Sequence, residues 1–257
     1  MKLTNDILRD KYNKIYKDGA YENYFTFNPY DILKAIVDSV DDWSGKSVLD
    51  IGCGEGDLAA MVSFAGAERV HAIDYSDKAI DISKKRINLD NVFFECMDGN
   101  NVIDKYDVIV MAGVLEHIDR PFGMLNSLMK NNLKKGGVLV TASPSFVNPR
   151  GYVWMTLQTL LGVPMSLSDI HFFLPDDFEE FSKENNYNIK NSTIAHDWGG
   201  GRRTILDYRK RLVNALSDAK LDNSKVEEFL IWMEKAIPYF EHTEDSGAIM
   251  VTRITNS

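Results

Sequence analysis

From Val48 to Ala59 the sequence reads Val48-Leu49-Asp50-Ile51-Gly52-Cys53-Gly54-Glu55-Gly56-Asp57-Leu58-Ala59, an apolar strand that passes through three alternating glycines into a helical pattern. Glycines at such a junction let a ligand approach the backbone and let the chain turn tightly at a helix N-terminus. Asp74 closes the next strand-like run, 18 residues beyond Gly56, at the place where a carboxylate accepts hydrogen bonds from ribose hydroxyls. Together they describe a nucleoside site. Asp50 narrows the ligand, because an acid two residues before the first glycine repels a pyrophosphate and welcomes a cation. The order Gly52-x-Gly54-x-Gly56 also departs from the G-x-G-x-x-G of nicotinamide enzymes, which disfavours an oxidoreductase. Taken alone, the turn has a plain strand-to-helix connection as its alternative.

The elements that must position these residues alternate strictly over the first 142 residues. Ser47 to Ile51, Arg69 to Ile73, Val92 to Glu95, Tyr106 to Met111 and Val138 to Thr141 read as strands. Asp57 to Ala65, Ser76 to Asn88 and Pro121 to Leu133 read as helices, with Ser76 as an N-cap. Such alternation predicts a parallel sheet covered on both faces. Two helical stretches, Asp6 to Asp18 and Pro29 to Val40, precede the first strand. The aromatics Tyr12, Tyr16, Tyr21, Tyr24, Phe25 and Phe27 there either pack on the sheet or form a lid over a pocket. After Thr141 the pattern breaks into an irregular insertion, Ser143 to Ser168, then a helix from Asp176 to Asn185 and a strand from Ile189 to His196. Helices over Arg203 to Ala219 and Ser224 to Ile237 and a closing strand, Ala248 to Ile254, complete the chain. This reads as one domain, residues 1–257. It comprises an N-terminal aromatic lid (1–41), a cofactor-binding core (42–144), and the rest of the sheet (145–257) with cap insertions at about 145–170 and 198–243.

The 257 residues carry 29 Lys and Arg against 38 Asp and Glu, a net charge of −9, with 44% hydrophobic and 26% charged residues. This is the composition of a folded globular protein, and the acidic balance without a basic run excludes a general nucleic-acid binder. Cys53 and Cys96 are too few for a disulfide framework and read as buried thiols in a reducing compartment. The first ten residues lack a signal-peptide core, and the longest apolar stretch, Val153 to Val163, is too short for a membrane span. A soluble, cytoplasmic protein with no membrane partner is expected.

Val48 to Gly56 resembles the V-L-D-x-G-x-G-x-G signature of the class I S-adenosylmethionine-dependent methyltransferases, specifically the type 11-like small-molecule members. Three further segments match in order: Asp74 in His71-Ala72-Ile73-Asp74-Tyr75-Ser76, Asp98 in Cys96-Met97-Asp98-Gly99, and Leu133-Lys134-Lys135-Gly136-Gly137-Val138, in which Lys135 replaces a proline. The likeness covers about Asp42 to Pro144. It implies a Rossmann-like α/β fold, a seven-stranded sheet of order 3-2-1-4-5-7-6 with the last strand antiparallel and helical cap insertions. It also implies S-adenosyl-L-methionine as cofactor, held by Asp50, Gly52, Cys53, Gly54 and Gly56, by Asp74 and Tyr75 at the ribose, and by Met97, Asp98 and Gly99 at the adenine. Val110 to Gly113, chiefly Ala112 and Gly113, would line the methionine part.

Methyl transfer from a sulfonium is an in-line displacement, and a hydroxyl or ammonium acceptor must also lose a proton. His117, in Leu115-Glu116-His117 after the fourth strand, and His171, in Asp169-Ile170-His171-Phe172-Phe173, are the candidate bases; a cofactor-side role for the first and a packed core role for the second are the alternatives. In quinone O-methyltransferases a glutamate three residues before the Glu-His pair helps hold a divalent metal. Here that place is Gly113, so no metal site is expected. Tyr16, Tyr24, Trp198 and the pair Arg202 and Arg203, which follow Gly199-Gly200-Gly201, are the candidate acceptor contacts, the arginines as a fork for an anion. A small polar acceptor methylated at oxygen, in surface-polysaccharide (capsule) or natural-product biosynthesis, is the favoured reading. N-methylation, or cofactor binding without catalysis, are the others. The sequence leaves the oligomeric state open.

Overall fold

The computed structural model describes residues 30–166 and 168–257. The helix expected over Asp6 to Asp18, and Tyr16 and Tyr24 with it, lie outside these residues. Strands β1 (Ser47–Ile51), β2 (Arg69–Asp74), β3 (Val92–Cys96), β4 (Tyr106–Ala112), β5 (Leu133–Pro144), β6 (Tyr187–Ile194) and β7 (Ile249–Asn256) form one sheet. Its order is β3-β2-β1-β4-β5-β7-β6. Neighbours among the first five strands are parallel, and β7 runs antiparallel between β5 and β6.

Because side chains alternate across a strand, each central strand feeds two cores. Val48, Val108, Val110, Val140 and Ala142 face one side, where they meet α1 (Tyr30–Asp38), α2 (Asp57–Phe64) and α3 (Asp77–Arg86) through Ile36, Leu58, Val62 and Ile80. Leu49, Ile51, Ile109, Met111 and Leu139 face the other, under Met124, Leu125 and Leu128 of α4 (Pro121–Asn131) and Phe178 and Phe181 of α6 (Pro175–Asn185). Ser76 caps α3 as read from the sequence, accepting the Ala79 amide at 3.2 Å. Of the expected lid, 1–41, the described residues include α1, whose Ile36 is fully buried, and the indole of Trp43 just beyond donates to the Val37 carbonyl.

Two expectations are corrected. β5 begins at Leu133 rather than Val138, and a register shift between Tyr106 and Val108 accommodates its early start. Gly137 permits this close approach, since a Cβ there would lie 2.7 Å from the Asp107 carbonyl oxygen. Cys53 is buried, but Cys96 is exposed, because it ends the edge strand β3.

The cap has its own core, built by α5 (Pro149–Met155), α8 (Arg202–Asp218) and α9 (Val226–Ala236) around Phe146, Trp154, Tyr208, Leu212 and Leu230. Within it Asp207, fully buried, accepts from Arg150 Nε at 3.0 Å and from Arg211 Nε at 3.2 Å. The Arg150 guanidinium lies 4.6 Å from the Trp154 ring and 4.2 Å from that of Trp198, so aromatic faces share the charge that one carboxylate leaves over. Removing the carboxylate by Asp207→Ala strands two buried cations. The expected loss is about 3–5 kcal/mol, read from urea unfolding; a loss below about 1 kcal/mol would show that the tryptophans alone carry the arginines.

Candidate active site

The carboxyl edge of the sheet gathers the sequence's candidates. Gly52 and Cys53 both donate their amides to the Ile73 carbonyl, at 2.8 and 3.0 Å, and the Gly54 amide donates to Asp74 Oδ2 at 3.0 Å. The glycine turn is thereby fastened to the end of β2. At Gly52, φ is +71° and a Cβ would stand 2.4 Å from Val114, so neither conformation nor space admits a side chain. Asp74 Oδ1 accepts the Ser76 amide at 2.8 Å, which orients the carboxylate across the turn. The Met97 amide donates to the Asp74 carbonyl, and Tyr75 presents its carbonyl to the Cys96 thiol. Asp98 caps the short turn Gly99–Asn101 through the Asn100 amide. Asp50, Gly52, Cys53, Gly54, Gly56, Asp74, Met97, Asp98 and Gly99 thus lie on three successive strand ends, as a ligand spanning β1 to β3 requires. Gly113 bonds its amide to the Ala142 carbonyl and follows Ala112 at the end of β4.

Buried acid dominates the electrostatics. Asp50 is 1% exposed, and its Oδ2 has no hydrogen-bond partner among the described residues. Burial, then the neighbouring Asp74, push the Asp50 carboxyl up to about 7; burial raises Asp74 as well. Such a pair is a receptor for positive charge.

Beyond Gly113 the turn Leu115–His117 carries Glu116 and His117 into the interior. The Ser143 hydroxyl donates to Glu116 Oε2 at 3.1 Å, and His117 Nδ1 lies 3.4 Å from Asp169 Oδ1. The segment bearing Asp169 is clipped to this turn, since the amides of Ile170 and His171 both donate to the Glu116 carbonyl, at 2.8 and 3.2 Å. Burial, with Asp169 adding to it and His117 opposing, pushes the Glu116 carboxyl up to about 7. Glu116 and Asp169 are the residues sequence reasoning missed as chemistry. Glu116 stood within a quoted motif; Asp169 has no local signal.

The two histidines separate. His117 enters the acidic group, whereas His171 places Nε2 2.8 Å from the Ile118 carbonyl and stacks on Phe173, which is the packed alternative weighed for it. The expected acceptor contacts also part company. Trp198 is buried under Arg150 in α7 (His196–Gly200), while Arg202 and Arg203 are exposed. The Arg202 backbone amide donates to Asp197, and the Arg203 side chain sits 3.5 Å from Asp31 of α1 and 3.7 Å from Asp197 of α7. A surface groove lined by Ser47, Glu68, Arg69, Asp90, Asn91 and Phe93 opens at the other edge of the sheet, away from this chemistry.

Comparison with known proteins follows the same lines. The methyltransferase domain family matches residues 42–221. The mitochondrial ubiquinone biosynthesis O-methyltransferase of Schizosaccharomyces pombe is 32% identical over 169 residues, 62% of this chain; the match spans about three fifths (61%) of that relative's length. Among solved structures, magnesium protoporphyrin IX methyltransferase from Synechocystis with bound SAH superposes with a TM-score of 0.64 at 14% identity, covering 99% of this chain and all of that one. A chain from the complex between the Haloferax volcanii Trm112 methyltransferase activator and a methyltransferase gives 0.60 at 14% identity, covering 95% and 96%. No helix among the described residues is long and apolar enough to cross a membrane.

Two measurements check the site. Asp50 has a folded-state pKa raised above its ordinary value, so its contribution to stability is complete below that value and is lost as pH rises through about 7. The ligand-free protein should therefore melt at a higher temperature at pH 5.5 than at pH 8, and Asp50→Asn should flatten the slope. For Asp74→Ala, calorimetric affinity for S-adenosylhomocysteine should fall by roughly 2–4 kcal/mol, two hydrogen bonds to a charged group; unchanged affinity would remove Asp74 from the site.

Proposed function

The chain belongs to the class I S-adenosylmethionine-dependent methyltransferase family, and from that premise we propose that it methylates an oxygen of a small polar acceptor. The observation that carries this reading is the Glu116–His117–Asp169 group at the end of β4, one short turn from the strand end that faces the methionine part of the donor in this reading. Open α/β sheets bind their ligands outside the carboxyl ends of the strands. The donor then lies across β1, β2 and β3, its ribose at Asp74 and its adenine at Asp98, while its sulfonium and amino group offset the charge of Asp50 and Asp74.

The acceptor enters beyond Gly113. Its hydroxyl loses a proton to the acidic group, the oxygen lone pair forms a bond to the methyl carbon, and the carbon–sulfur pair returns to sulfur as neutral S-adenosylhomocysteine. One proton is released per turnover. The enzyme's main task is to hold oxygen, carbon and sulfur in line. His117, with Asp169 beside Nδ1, receives the proton, and His171 holds the turn that carries it.

A methyl acceptor at oxygen is supported by the name of the curated relative, which is an O-methyltransferase of ubiquinone biosynthesis. Nothing in the comparisons favours a surface-polysaccharide route.

His117→Asn is expected to lower kcat by roughly 10²–10⁴ with S-adenosylhomocysteine affinity nearly unchanged, and His171→Asn to lower the melting temperature more than kcat. Loss of donor affinity in the first variant would move His117 to the cofactor and defeat this assignment.

A further inference from the structure

We propose that Arg150, assisted by Ser145, binds a carboxylate of the methyl acceptor and so selects a hydroxycarboxylic acid; this role in the reaction rests on the methyl-transfer reading above. Arg150 is 2% exposed. Its Nε donates to Asp207 Oδ2 at 3.0 Å, but its Nη1 is buried with no hydrogen-bond partner among the described residues. Ser145 is fully buried, and its hydroxyl lacks a partner in the same way. Such groups are few in native proteins, because each gives up its bonds to water and receives nothing in return. Here two fall on the short loop from β5 to α5, which Asn148 closes by donating to the Ser145 carbonyl at 3.1 Å and accepting the Gly151 amide at 2.8 Å. An oxygen from a ligand is the partner both groups lack.

The loop starts beside the reacting groups. Ser143, two residues before Ser145, donates to Glu116 Oε2 at 3.1 Å. At the far end the Arg150 guanidinium lies 4.2 Å from the Trp198 ring, and Trp198 shares a core with Cys53 of the glycine turn and Ala142 of β5. On its other flank is Trp154, at 4.6 Å; Trp154 meets Phe146, and Phe146 meets Phe172, the residue after His171. The guanidinium therefore stands in an aromatic wall between the strand ends assigned to the donor and the segment clipped to Glu116. An acceptor laid along this loop has its hydroxyl at His117 and its carboxylate at Arg150. The charge balance favours a carboxylate over a phosphate, because Asp207 already occupies Nε and repels a dianion at Nη1 more than a monoanion. Since Nη1 is sealed from solvent, the carboxylate reaches it only as a side chain of the wall turns aside. A neutral acceptor gains no charge-assisted hydrogen bond to offset that displacement, and this is the source of the selection.

The test is a fluorine NMR titration of the full chain, with and without S-adenosylhomocysteine, using 4-fluorobenzoate as the probe and 4-fluorobenzamide as its neutral counterpart. Saturable binding of the benzoate is expected, with the benzamide at least tenfold weaker. Arg150→Gln should weaken the benzoate at least tenfold while S-adenosylhomocysteine affinity stays unchanged, and Arg150→Lys, which keeps the charge, should recover part of the loss. Circular dichroism melts establish that each variant is folded; should Arg150→Gln fail to fold, the smaller change Ser145→Ala, expected to weaken the benzoate at least fivefold, decides the matter. No saturable benzoate binding, equal affinity for the benzamide, or benzoate binding that Arg150→Gln and Ser145→Ala both leave intact overturns the proposal. S-adenosylhomocysteine binding in the same titrations separates the outcomes: donor product bound without benzoate defeats the carboxylate site alone, whereas benzoate bound through Arg150 without donor product defeats the methyl-transfer reading and with it the role assigned to Arg150 in choosing the acceptor.

Discussion

The Ile73 carbonyl accepts two amides, from Gly52 and Cys53, and the rest of the site hangs from that pairing. It brings the first turn after β1 onto the end of β2, so that the Gly54 amide reaches Asp74. A strand end by itself is too mobile to hold a ligand to a fraction of an ångström. Here the parallel ladder is continued past β1 by two extra backbone bonds, and the glycines are what let the chain bend while making them. The helix that follows, α2, then starts at the edge of the sheet, and every later contact to the cofactor is measured from this fixed corner.

The fold concentrates acidic side chains along that edge. Asp50 and Asp74 lie together near the glycine turn, and Glu116 and Asp169 lie together beyond β4. In each pair burial lifts a carboxyl toward neutral pH, and its neighbour lifts it further. A stable core avoids such pairs unless something resolves them, so they mark the places where the apoprotein bears a cost that a ligand relieves. The contrast with the cap is instructive. There Asp207 is equally buried, yet it accepts from two arginines, and two tryptophan faces lie against the Arg150 guanidinium.

How much of this was legible depended on whether the signal was local. The strand order came with the family resemblance, and the positions of Asp50, Asp74 and Asp98 follow from motifs in which backbone, glycine and acid are neighbours in sequence. β5 was read short because Gly136 and Gly137 look like a turn, and only the facing Asp107 carbonyl shows why glycine is needed within the strand. Arg202 and Arg203 carried the local pattern of an anion fork, but the acids that meet Arg203, at 31 and 197, come from two different helices. Asp169 was invisible for the same reason in reverse. Its sequence surroundings are ordinary, and its meaning comes wholly from the backbone clip that brings it to His117.

That clip also settles what the cap contributes. α5 leaves β5 within a few residues, Asn148 ties it back to the carbonyls of Ser145 and Gly247, and Trp198 of α7 packs between Arg150 and the sheet core. The cap is therefore anchored at its base through groups that are fully buried. Methyl transfer gains little from a mobile wall, because its barrier depends on collinearity of three atoms and small displacements cost rate steeply. The buried charges of the cap, Arg150, Asp207 and Arg211, are paired with one another at its core. On the proposed reading, the turn after β4 and the segment clipped to it supply polar contacts to the acceptor, so that its alignment and the removal of its proton reside in the same side chains.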